Sequence, residues 1–198
     1  MNAIFNLDAS ILLFIQNHIR QPWLSPVVIG ITHLGDKGLF WIALTLLMIY
    51  FRKTRRTGYT SLIAMTIGLL VTNLILKNWI ARVRPYELIE GLQLIIGKQK
   101  DFSFPSGHAC NSFAAGWAMF RGLKKRSWGV AALVLAILIT LSRIYVGVHY
   151  PTDILAGAAI GIAAAEAARP IVKALAQRFP AFRDFIRPTE KRAKSAGK

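Results

Sequence analysis

The sequence predicts an all-α integral membrane protein: a six-helix transmembrane bundle preceded by an interfacial helix. Three observations predict it. The first is composition: 54% of the 198 residues are hydrophobic and the mean hydropathy is +0.43. Disorder needs few apolar residues, so a disordered chain is excluded. The second is charge: 25 Lys and Arg face 9 Asp and Glu, a net +16 on a chain only 17% charged. Apolar residues in lipid with cations at its surface reconcile the two. The third is the clustering of apolar residues at 11–15, 23–31, 38–51, 59–76, 109–120, 128–141 and 154–168. The length suits one domain. The single Cys110 excludes an internal disulfide framework and a cysteine-rich zinc site. Residues 1–6 hold no base and no small-residue cleavage site follows, so no secretory signal is expected.

In chain order, residues 8–20 read as an amphipathic helix lying in the interface, with Ile11, Leu12 and Ile15 on one side; the alternative is the start of the first span. A spanning helix needs about 20 residues. Only 59–76 meets this unaided, and the other stretches borrow aromatic, Ser/Thr or snorkelling neighbours. The last stretch, 154–168, is rich in Gly157, Ala158, Gly161, Ala163, Ala164 and Ala165, the small residues that let helices pack closely in lipid. Glu166 near its end is expected to pair with a basic neighbour. The chain divides into an interfacial helix at 1–20, a membrane domain at 21–170 and a basic tail at 171–198.

Basic clusters orient the helices. One loop holds Arg52, Lys53, Arg55 and Arg56, and another Arg121, Lys124, Lys125 and Arg126. The tail holds Lys173, Arg178, Arg183, Arg187, Lys191, Arg192, Lys194 and Lys198. The positive-inside rule makes all three cytoplasmic and turns residues 34–38, 82–105 and 143–152 outward. Yet Lys77, Arg82, Arg84, Lys98, Lys100 and Arg143 also lie on that outward side. Snorkelling accounts for Lys98, Lys100 and Arg82; Lys77, Arg84 and Arg143 stand at the ends of apolar segments, where a cation marks function.

Three stretches there hold the chemistry. Lys77 and Arg84, seven apart, would share one helix face that Pro85 terminates, forming an anion clamp; interface snorkelling is the competing reading. In Phe104-Pro105-Ser106-Gly107-His108, Ser106 suits an N-cap and Gly107 lets backbone approach an anion at a helix N-terminus. The same residues also suit an ordinary capped helix with an incidental His108. In the run from Ser142 and Arg143 to His149 and Asp153, Pro151 suits a helix start. Asp153, four residues past His149, is either a helix cap or the carboxylate that fixes the imidazole tautomer.

Together, Lys77, Arg84, Pro85, Pro105, Ser106, Gly107, His108, Ser142, Arg143, His149 and Asp153 resemble the type-2 phosphatidic acid phosphatase superfamily, which includes lipid phosphate phosphatases and vanadium haloperoxidases. The resemblance implies a helical membrane core with its site at the outer face. It implies His149 as nucleophile forming a phosphohistidine, Asp153 orienting it, and His108 protonating the leaving oxygen and then activating water. Lys77, Arg84, Arg143, Ser106 and the Gly107 N–H would hold the phosphoryl oxygens. The compact size is similar to small bacterial members, which implies undecaprenyl diphosphate first, then phosphatidylglycerophosphate or phosphatidic acid.

Phosphoryl transfer mainly needs positioning and charge neutralisation, which these cations could supply, so no metal or cofactor is expected. Asp36, Glu87, Glu90, Asp101 and Asp153 show no metal-ligand spacing, and no Walker loop is present. The expected partners are a lipid phosphate and membrane lipids. Nucleic acid is not one, because the cations form no single stripe. Two other classes stay open: a lipid phosphotransferase using the same phosphohistidine, and a non-enzymatic membrane scaffold, which leaves His108, His149 and Asp153 unexplained. A haloperoxidase would need vanadate. Residues 87–100 are where head-group choice is expected.

Overall fold

A computed structural model describes residues 3–187; Lys191, Arg192, Lys194 and Lys198 of the basic tail lie outside the described residues. The described residues are helical, without strands. Helix α1 (Ala3–Phe14) runs into a wide turn at Ile15–Ile19. Then come α2 (Ser25–Leu34), α3 (Leu39–Tyr50) and α4 (Arg55–Leu69), the last continued by a π-turn at Leu70–Leu76 into α5 (Lys77–Ile80). After α6 (Pro85–Leu88) and a long loop follow α7 (Gly107–Gly122), α8 (Arg126–Tyr145), α9 (Pro151–Arg178) and α10 (Pro180–Ile186).

Among the described residues, three helical stretches are long and apolar enough to cross a membrane: Arg55–Leu88, Arg126–Tyr145 and Pro151–Arg178. A fourth results if Ser25–Leu34 and Asp36–Tyr50, bent by 43° at Gly35, count as one broken span. The sequence pattern suggests six because α2, α3 and α7 each look apolar enough; their 10, 12 and 16 residues reach only about 15–24 Å.

Helix α7 is the centre, packed against α4, α8 and α9. Small residues make this possible. A methyl group at Gly157 or Gly161 of α9 would collide with the Ser106 or Cys110 carbonyl of α7, and one at Gly116 would come within 3.0 Å of Ala136 on α8. The main core joins Trp41, Met65, Ala115, Met119, Ala136, Ile139 and Ala165 across these helices. Of the small residues that mark this helix, Gly157, Gly161, Ala164 and Ala165 are buried, Ala158 is half-buried and Ala163 is exposed. Glu166 accepts from Trp117 at 2.7 Å and pairs with Arg169 at 3.0 Å and Arg121 at 3.3 Å.

Helix polarity separates two ends. Helices α4 and α8 start beside the basic loops and end at Lys77 and Arg143. Helices α7 and α9 start beside His108 and Asp153 and end at Arg121 and Arg178. The chemistry-bearing residues therefore gather at the end opposite the basic loops. Helix α1 packs over that end: Leu12 meets Ile89, Leu92 and Tyr150, and Ile15 meets Tyr145, Val146 and Val148. Its buried face carries Asp8 as well.

Candidate functional site

Four segments converge on a cavity of about 510 Å³ whose lining includes Lys77, Arg84, Gly107, His108, Arg143 and His149. Lys77 reaches it because the π-turn before it adds a residue to the helix turn; such turns recur at functional sites. Asn73, on that turn, lines the cavity too. The shared helix face expected for Lys77 and Arg84 is corrected here. The helix stops at Ile80, where Ala81 takes a left-handed φ of 47°, and Arg84 lies in extended backbone ahead of Pro85. The two cations nevertheless meet, because both hold Asp101. Lys77 pairs with its carboxylate, Arg84 Nη2 donates to the other oxygen at 2.6 Å, and Arg84 Nε donates to the Asp101 carbonyl at 2.9 Å. Partial burial alone would raise the Asp101 carboxyl, but Lys77 and Arg84 outweigh it and hold it down to about 2.

Arg143 ends α8 only 1% exposed. Its Nη1 donates to Thr32 at 2.7 Å, and its buried Nε–H has no hydrogen-bond partner among the described residues. A buried guanidinium without a carboxylate partner is costly unless an anion arrives.

His149 sits in the turn between α8 and α9, 2% exposed. Its Nδ1 lies 3.3 Å from Asp153 Oδ2, and its Nε2 lies 3.4 Å from Arg84 Nη1, at the cavity. The carboxylate holds the Nδ1–H tautomer, so Nε2 turns its lone pair to the cavity side, where it accepts from Arg84 Nη1. Burial, with the positive Arg84 and Arg143, pushes His149 down to about 3 against the opposing pull of Asp153. The ring is thus neutral at physiological pH. Asp153 does double duty, because its Oδ2 also accepts from Tyr150 N at 2.9 Å and so caps α9 at Pro151.

His108 opens α7. Gly35 leaves room for its ring, which a Cβ there would strike. His108 Nε2 lies 3.1 Å from Asp36 Oδ1, and the other Asp36 oxygen lies 2.7 Å from His33 Nδ1. Gly107 lines the cavity, whereas Ser106 is fully buried behind it. Ser106 Oγ accepts from Ala109 N at 3.4 Å, an N-cap worth about 1 kcal/mol. Among the described residues, no group of three or more His, Cys, Asp or Glu side chains gathers where a metal ion could sit.

Sequence reasoning missed the partners. Asp36, Asp101 and Thr32 were not connected to His108, Lys77 and Arg143. Ser103 donates to Asp153 at 2.5 Å. Arg82, read as snorkelling to the interface, instead bonds Asp153 at 2.7 Å and Asp8 at 2.8 Å. One signal was available: a chain with only 9 acidic residues places several on the outward side.

Comparison with known proteins gives the chain a family. Residues 58–176 match the PAP2 superfamily. Phosphatidylglycerophosphatase B of Bacillus subtilis is 36% identical over 156 residues, 73% of this chain and 73% of that protein. An undecaprenyl-diphosphatase of Sulfolobus acidocaldarius is 33% identical over 121 residues, 61% of this chain and 58% of that one. The crystal structure of a transmembrane PAP2-type phosphatidylglycerolphosphate phosphatase from Bacillus subtilis superposes with a TM-score of 0.68 at 32% identity, covering 90% of this chain and 89% of that one. With the family match, the membrane helices and the relatives together, the chain is a multi-pass membrane member of the PAP2 superfamily.

Proposed function

We propose that this protein hydrolyses a lipid phosphate at the outer face of the cell membrane through a phosphohistidine on His149, with undecaprenyl diphosphate as its first substrate. One observation supports this above the rest. A neutral imidazole backed by a buried carboxylate shares one cavity with Lys77, Arg84, Arg143 and a second histidine.

His149 Nε2 attacks phosphorus. The bond from phosphorus to the leaving oxygen breaks, and protonated His108 gives that oxygen its proton. Water then enters, His108 takes its proton, and the hydroxide oxygen displaces His149 from phosphorus, releasing phosphate. Asp153 keeps the His149 tautomer and balances its transient positive charge. Lys77, Arg84, Arg143 and the Gly107 N–H neutralise the equatorial oxygens, the largest requirement of phosphoryl transfer. Ser106 supports the Gly107 turn.

The diphosphate preference draws on Lys37 and Lys98, which also line the cavity and would meet a second phosphate. Relatives named for undecaprenyl diphosphate and for phosphatidylglycerophosphate make both candidates. In this reading α2, α3, α4, α7, α8 and α9 form a six-membered embedded bundle. Helix α1 lies at the outer interface, and the basic loops and tail face the cytoplasm.

The test is phosphate release by detergent-solubilised protein with chelator present, offered undecaprenyl diphosphate, phosphatidylglycerophosphate and phosphatidic acid. Release that is fastest with the diphosphate and lost in His149→Ala is expected. No release from any lipid by folded protein would overturn the hydrolase reading.

A further inference from the structure

Asp8 is 1% exposed in a helix whose other buried residue is Leu12. A carboxylate at such a position needs partners, and it has three donors. Arg82 Nη2 donates to Oδ2 at 2.8 Å, Thr152 Oγ1 to Oδ2 at 2.6 Å and Thr152 N to Oδ1 at 3.0 Å. Arg82 then reaches the other way: Nη1 donates to Asp153 Oδ1 at 2.7 Å and to Thr152 Oγ1 at 2.7 Å. Its guanidinium lies 3.7 Å from the centre of the Tyr150 ring. The path runs Asp8, Arg82, Asp153, His149, and joins three separate parts of the chain.

Geometry explains what each part does. Asp153 Oδ2 already serves Ser103, Tyr150 N and His149 Nδ1. Only Oδ1 is left to fix the plane of the carboxylate, and Arg82 holds it. A guanidinium held at one end could swing; Asp8 grips the second nitrogen and keeps the fork in plane. Asp8 also draws part of the Arg82 charge away from Asp153, which leaves Asp153 able to support a positive imidazole.

We infer that Asp8 and Arg82 are positioning residues that hold the Asp153 carboxylate against His149 and thereby make the N-terminal helix part of the active-site support. The inference rests on the reading of His149 as nucleophile. Neither residue touches the phosphate; both act through Asp153.

The experiment uses full-length protein in detergent as wild type, Asp8→Asn, Arg82→Gln and Arg82→Lys. Phosphate release is measured against undecaprenyl diphosphate concentration. Histidine-selective nitrogen-15 labelling reports the ring tautomer, and His149→Ala identifies its signals among the four histidines. Asp8→Asn and Arg82→Gln are expected to lower kcat by about tenfold or more, the scale of outer-shell supports, with KM little changed. In both, His149 moves from the Nδ1–H tautomer to a mixture. Arg82→Lys keeps the charge without the fork and recovers only part of kcat. Loss of kcat with the tautomer unchanged would overturn the inference, because a merely structural role does that. So would kcat within about twofold of wild type. The ring spectrum needs no turnover. A wild-type protein that releases no phosphate would therefore overturn the hydrolase reading, while the tautomer still decides the positioning role.

Discussion

Two histidine–aspartate pairs set the proposed nucleophile and the proposed acid at the same cavity. His149 and Asp153 stand four residues apart at a helix start, their side chains 2% and 0% exposed. His108 and Asp36 stand 72 residues apart, 16% and 50% exposed. The first pair is dry and gripped by Ser103, Tyr150 N and Arg82; the second is wet and rests on a short loop that includes Lys37 and Gly38 at positive φ. The difference matches the two tasks proposed for His149 and His108. A nucleophile benefits from one fixed tautomer and a free lone pair, whereas an acid that later activates water needs contact with water.

The sharpest break of this comparison is His149→Ala, expected to remove phosphate release by about 10³-fold or more with the fold intact, read by phosphate assay beside a thermal melt. Retained turnover would return His149 to a structural role. Asp153→Asn should cost between about 10² and 10⁴-fold in kcat; near-normal rates would leave Asp153 a helix cap only. His108→Ala should lower turnover of lipid substrates by about 10²-fold or more. With a nitrophenyl phosphate, whose leaving group needs no proton, the loss should shrink, and an equal loss on both substrates would remove His108 as the acid.

A smaller effect concerns stability. The His149 ring is held down to about 3 from an ordinary 6.5, so between those values the unfolded chain takes up a proton that the folded chain refuses. Stability should therefore fall as pH drops from about 6.5 towards 3, and His149→Ala should flatten that slope in thermal melts. The smallest expected effect is at Asp101. Its carboxylate occupies Lys77 and Arg84, so Asp101→Asn should strengthen inhibition by inorganic phosphate several-fold; unchanged inhibition would mean that the two cations are equally available in both proteins.

The same contrast explains what was legible in the sequence. His149 and Asp153 share a helix start announced by Pro151, so their proximity follows from local geometry. Ser106 as N-cap of α7 was legible for the same reason. Asp36 with His108, and Asp8 with Arg82, join distant segments, and no local period encodes such pairs. Lys77 and Arg84 mislead because Pro85 is the visible helix breaker. The actual break is at Ala81, a residue type that rarely adopts positive φ. By length and hydropathy the described residues give three or four spans against the six expected, because α2, α3 and α7 are apolar but short. Apolar composition does not report where a chain bends.

Helix α9 has one more consequence. Its 28 residues make a rod of about 42 Å, against a hydrocarbon layer of about 30 Å. Its first turn holds Asp153, and its far turns hold Arg169, Lys173 and Arg178. Beside anionic head groups, where the proposed orientation puts them, each would gain about 1 kcal/mol. In that orientation the far end is a float that sets immersion depth. A thinner or thicker bilayer would tilt the rod or shift its register, raising or lowering His149 relative to the phosphate plane from which a lipid presents its head.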